Sequence, residues 1–150
     1  MNVLEILAAL SPIILSVVVT YIIVKQYQLD KQKFKQKFFD KRYDIYKTVM
    51  RYLSEMLANA NTTSEELFEF KRKTSDIKIF FDDDINNYIS GIFDKAVKLR
   101  HYNVMLKSAK LSNDEHLKLV NQENELLNWL FEQFSVCEDM FIKYLKIEVK

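Results

Sequence analysis

The sequence predicts an all-α protein: an N-terminal transmembrane helix that continues into a cytoplasmic antiparallel helical bundle of about four helices. Three observations carry this expectation. Residues Ile6 to Val24 hold no charged side chain. The 150 residues contain one glycine, Gly91, and one proline, Pro12, leaving little material for hairpins or glycine-rich loops. Beyond the apolar run, large apolar residues recur at steps of 3 and 4, the period of a helix with one buried face.

The apolar run, at about 1.5 Å per helical residue, matches the roughly 30 Å hydrocarbon core of a bilayer. A cleavable signal peptide is the rival reading. It needs a basic leading segment and a small-residue cleavage site. Here Glu5 precedes the run with no Lys or Arg, and Lys25 with long polar side chains follows it. Residues 1–25 are therefore read as an anchor and 26–150 as one helical domain, with 26–58 a long helix continuous with the anchor.

Charge sets the expected orientation. Between Lys25 and Arg51 nine basic residues face three acids, a net of +6, while the whole chain is +1 and residues 52–150 carry −4. The positive-inside rule then places the C-terminal domain in the cytoplasm of a protein that crosses the membrane once with its N-terminus outside. One cysteine, Cys137, excludes a disulfide framework and agrees with a reducing compartment.

Down the soluble part, Phe39, Tyr43, Tyr46, Met50, Leu53 and Leu57 define the face of the first helix, and Ala58–Thr63 the turn that ends it. Thr63 with Glu66 has capping-box spacing, and Leu67, Phe70, Thr74, Ile77 and Phe81 continue as a second helical face. Asp82, Asp83 and Asp84 precede a third helix with Ile85, Tyr88, Ile92, Ala96, Leu99 and Leu106 on its face. Ser112 with Glu115 opens a last helix bearing Leu117, Val120, Leu127, Leu130, Phe134, Phe141 and Leu145.

Few residues point to chemistry. An EF-hand starting at Asp82 needs Gly sixth and Glu twelfth, and finds Asn87 and Phe93, so the acidic run is read as a helix cap. His101 and His116 have no second ligand at zinc spacing, and Cys137 lies beside Glu138 and Asp139, which discourage a thiolate. No phosphate-binding glycine loop exists, and the expectation is no enzyme, no metal and no cofactor.

Two sets of residues remain as candidate sites. On a helical wheel Glu5, Ala9, Pro12, Ser16 and Thr20 fall on one stripe of the anchor, opposite large aliphatic residues. Small and polar stripes serve helix–helix contact in lipid and also suit a water-filled lumen. The blander reading is that the hydroxyls bond back to their own helix. The second set is Lys31, Lys33, Lys35, Lys37, Lys41, Arg42, Lys47 and Arg51, interleaved with aromatics. The lysines nearest the anchor are expected at anionic lipid headgroups. The four further down leave a nucleic-acid, oligonucleotide or nucleotide contact open.

Gln26, Tyr27, Phe38, Phe39, Asp40, Lys41, Arg42, Ile45, Tyr46 and Val49, with Ile79-Phe80-Phe81 and the Phe141-x-x-Tyr144-Leu145 ending, form a recognisable pattern. The chain resembles a family of uncharacterised small bacterial single-pass membrane proteins with an N-terminal anchor and a cytoplasmic helical domain. That resemblance implies no catalytic or binding residues. By architecture only, it also looks like membrane effectors of antiphage defence such as the Hailong-type channel subunit. The functional expectation is an oligomeric pore-forming or membrane-depolarising effector, with lipid and further copies of itself as partners. Its gate would respond to a partner protein, oligonucleotide or nucleotide signal bound by the cytoplasmic domain. The alternatives are a non-channel membrane adaptor and a nucleic-acid- or nucleotide-sensing anchored module.

Overall fold

A computed structural model describes residues 3–108 and 111–146, with side chains described for 11–107 and 111–146. Every regular element among them is a helix: α1 (Val3–Asn59), α2 (Ser64–Lys73), α3 (Ile77–Phe80), α4 (Asp83–Ser108) and α5 (Asn113–Leu145). The chain divides into two compact units, Met1–Phe38 and Phe39–Lys150.

The first unit holds the N-terminal part of α1, up to Phe38. The expected long helix is present, running through Pro12 and the lysine-rich stretch without a break.

The second unit is built round one apolar core. α1 contributes Ile45, Val49, Tyr52, Leu53 and Met56, and α4 contributes Ile85, Ile89, Ile92, Ala96 and Leu99. From α5 come Leu126, Leu130, Cys137 and Phe141, and Leu67 and Phe70 of α2 close one side. Each set keeps the 3–4 spacing that puts successive side chains on one helix face. α4 packs along α5 and also touches α2 and α3. The Tyr88 hydroxyl donates to the Gln133 carbonyl at 3.1 Å, and Asn103 Nδ2 donates to Glu123 Oε1 at 2.9 Å. The earlier α4 residue meets the later α5 residue, so these two helices run antiparallel.

The termini obey local chemistry. Thr63 and Ser112 both form full capping boxes with Glu66 and Glu115, at the positions their spacing indicates. α1 ends in a Schellman turn: Ala60 N–H donates to Leu57 O, Asn61 N–H donates to Met56 O, and Ala60 takes φ of 46°.

Three details differ from the sequence reading. The buried line of α1 is rotated by one residue from the expected one, and Tyr43 is exposed. Apolar residues flank both sides of this helix, so periodicity alone left its rotation open. Phe39 and Tyr43 stack along the helix with centroids 6.1 Å apart, and Tyr46 lies tilted against Tyr43 at 6.2 Å. The single helix expected over 64–81 breaks at Thr74–Asp76. There Thr74 Oγ1 donates back to the Phe70 carbonyl at 2.8 Å, a side-chain bond that competes with helix continuation. Leu117 is exposed, because α5 reaches the core only from Leu126 onward.

Candidate functional site

Residues 11–37 are all exposed, and Ile13, Ile14, Leu15 and Val17 each keep 59–64% of their surface. α1 is the one described helix long and apolar enough, by length and composition, to cross a membrane. None of its apolar window is buried.

Pro12, Ser16 and Thr20 lie on the exposed surface of this segment. Glu5 and Ala9 belong to α1, but their side chains lie outside the described residues. Ser16 Oγ donates to the Ile13 carbonyl at 2.8 Å, and Thr20 Oγ1 donates to the Ser16 carbonyl at 2.8 Å. Both hydroxyl protons are therefore used inside the helix, as the blander reading has it. Each oxygen keeps lone pairs that can accept a hydrogen bond.

Lys31, Lys33, Lys35 and Lys37 are exposed, and at every second position of a helix they point alternately to opposite sides. They form a charged collar rather than one basic face. Lys25 lies nearer the apolar run, with its ammonium 5.8 Å from the centre of the Tyr21 ring.

In the second unit the remaining four basic residues separate. Lys41, Lys47 and Arg51 are exposed and border an open depression of about 570 Å³ with Lys73. Asp44 and Asp76 share its rim, and Ile45, Met50 and Phe80 line it. Lys47 also sits 5.2 Å from the centre of the Tyr43 ring, and Arg51 is 3.8 Å from Glu55. Arg42 stands apart from the other three. Its Nε donates to the Phe80 carbonyl at 2.8 Å and Nη1 to the Tyr144 carbonyl at 3.4 Å. The guanidinium also lies 5.7 Å from the Phe81 ring centre and 5.3 Å from that of Tyr144. Five planar donors suit this double engagement, which a lysine cannot reproduce. Arg42 thus joins α1 to the end of α3 and the end of α5.

The acidic run has a second task that sequence reading missed. The Tyr144 hydroxyl lies 2.8 Å from Asp82 Oδ2 and 2.9 Å from Asp84 Oδ1, and Lys143 Nζ pairs with Asp84 Oδ2. Asp84 Oδ1 also accepts the Ile85 amide at 2.8 Å. The Lys143 bond holds the Asp84 carboxyl below its ordinary range, and the Asp84 bond raises the Lys143 ammonium. Both the acidic run and the Phe141-x-x-Tyr144 ending stood out in the sequence. No local signal could link them across about 60 residues.

Cys137 is fully buried, and burial pushes its thiol up to about 12. No group of His, Cys, Asp and Glu among the described residues is arranged to hold a metal ion. Comparison with protein families, curated proteins and solved structures found no match to the chain.

Proposed function

We propose that the chain is a single-pass inner-membrane protein whose anchors assemble and open an ion path under the control of its helical domain. It would be a membrane-depolarising effector of the kind used in antiphage defence, with a cytoplasmic antiparallel bundle. The observation that carries this reading is the uncovered apolar helix. Ile6 to Val24 include twelve Leu, Ile and Val side chains. At about −0.3 to −0.6 kcal/mol each in a bilayer, these favour insertion by on the order of 5 kcal/mol. Left in water, the same surface is an aggregation hazard.

Assembly follows from the unlike faces of the anchor. Aliphatic residues meet lipid, while the line through Pro12, Ser16 and Thr20 suits a helix–helix contact or a wetted lumen. The lysine collar belongs on the cytoplasmic side, where anionic headgroups favour it. The test is expression in bacteria with a potential-sensitive dye. Wild type is expected to depolarise the cells, and Ser16→Leu with Thr20→Leu to abolish the effect without lowering membrane insertion. Depolarisation unchanged in the double variant removes the pore.

An adaptor is the second reading, favoured by the depression bordered by Lys41, Lys47, Arg51 and Lys73. Its size and exposed cations suit an acidic partner segment or a phosphate-bearing signal. Under this reading an unrelated anchor in place of residues 1–25 preserves function, whereas the pore reading requires that swap to fail.

A further inference from the structure

We propose that residues 24–38 of α1 form a parallel self-association seam whose occupant is the same segment of a second copy of this chain. The proposal rests on the membrane-anchored reading, because anchoring holds two copies side by side and in one direction.

Val24, Tyr27, Lys31, Phe34 and Phe38 follow one another at steps of 3, 4, 3 and 4. This is the spacing of the contact line between two helices that coil round each other. Tyr27 and Phe34 keep 69% and 67% of their surface exposed, although both are large aromatics. The Phe34 and Phe38 rings stack at 6.1 Å, making one aromatic ledge. Thr20 stands seven residues before Tyr27 and Tyr27 seven before Phe34. A helix drifts only about 20° per seven residues, so this line extends the hydroxyl-bearing side of the anchor. Around it the surface is Lys25, Gln26, Gln28, Lys33, Lys35 and Lys37, with Leu29 the apolar exception on the far side.

Charge selects the occupant. Asp30 is the one acid among five lysines between Lys25 and Phe38. With Tyr27 and Phe34 on the seam, Asp30 flanks it on one side and Lys35 on the other. In a parallel pair a flanking residue meets the residue five further along on the partner helix. Asp30 therefore meets Lys35 of the second copy, and in a twofold pair the contact occurs twice. Lys31 falls on the seam itself, where a single cation lowers stability but restricts register and copy number.

The test uses the full chain in native membranes, oxidised with copper phenanthroline after introducing single cysteines. Cys137 is buried, so the unsubstituted chain supplies the background. Tyr27→Cys and Phe34→Cys are expected to crosslink several-fold more than Leu29→Cys and Gln32→Cys. Asp30→Lys and Lys35→Asp should each reduce crosslinking at Tyr27→Cys, and the two together should restore it. Equal crosslinking on both faces, or no restoration by the charge exchange, overturns the seam. The mass of wild type in mild detergent separates this from the broader reading. One chain per particle removes both the seam and the assembled anchor, whereas two or more with crosslinks on the wrong face removes the seam alone.

Discussion

The guanidinium of Arg42 bonds the carbonyl of Phe80 and lies 5.3 Å from the centre of the Tyr144 ring, so one side chain joins three separate parts of the second unit. Tyr144 in turn reaches Asp82 and Asp84 at the start of α4. The end of α5 is thereby held from two directions.

Arg42→Ala is expected to destabilise the domain by about 1.5–3 kcal/mol, the range for hydrogen bonds to a charged group. Arg42→Lys should recover less than half of that, since an ammonium lacks the planar fork and the stacking. Chemical denaturation followed by circular dichroism measures both. Equal stability of all three proteins would show that the contact carries no net free energy.

Stability should fall at both pH extremes for identifiable reasons. Asp84, Glu69 and Glu115 have carboxyls held below their ordinary range, chiefly by side-chain hydrogen bonds from Lys143, Lys73 and Ser112 respectively. A depressed carboxyl contributes stability that is complete above its unfolded value, near 4. That contribution is lost as pH falls through the folded one. Lys143 is raised, so its contribution is complete below the unfolded lysine value, near 10.4, and disappears as pH rises through the folded one. Asp84→Asn should therefore shrink the drop in thermal midpoint between pH 6 and pH 3 and leave part of it, due to Glu69 and Glu115. Parallel drops in wild type and variant would contradict the assignment to Asp84.

Gly91 lies inside α4, and a Cβ built there meets nothing within 4 Å. Gly91→Ala removes backbone freedom from the unfolded chain without a clash, and should stabilise by about 0.5–1 kcal/mol. A destabilised variant would mean that the helix face at this position is in use by something outside the chain.

Ala60 presents the reverse case. Its φ of 46° lies in the left-handed region, which a Cβ disfavours by roughly 1–2 kcal/mol. Ala60→Gly should stabilise by about 1 kcal/mol, less the extra flexibility glycine gives the unfolded chain. The Asn103 side-chain bond to the Ala60 carbonyl, at 3.1 Å, is to the backbone and survives the change. A loss of stability on substitution would refute the strain.

The buried Cys137 thiol, raised by desolvation, should resist maleimide at pH 7.5 in the folded protein and react fully in denaturant. Rapid labelling under native conditions would show that α5 opens at that level.

Much of the helical framework was legible because its signals are local. Capping boxes need only residues three apart, and both Thr63–Glu66 and Ser112–Glu115 form as their spacing dictates. The uncharged run of Ile6 to Val24 likewise marks a long apolar helix from composition alone. The break at Thr74–Asp76 was less visible, since Leu67, Phe70, Thr74, Ile77 and Phe81 keep helical spacing across it and are all buried. Spacing records which residues face the core and does not record a turn that returns them to the same side.

The candidate sites divide along the same line. By itself the sequence determined the helical class, the helix caps, the long apolar N-terminal stretch and the alternating lysines that follow it. Each of these depends on residues within a turn or two of one another. Only the tertiary structure decided that Arg42 leaves the exposed basic set, that Tyr43 faces out while Ile45 faces in, and that Asp82 and Asp84 hold Tyr144 and Lys143. The rotation of α1 and the pairing of chain segments some 60 to 100 residues apart are set by the packing of several helices at once. No short window of sequence carries that information.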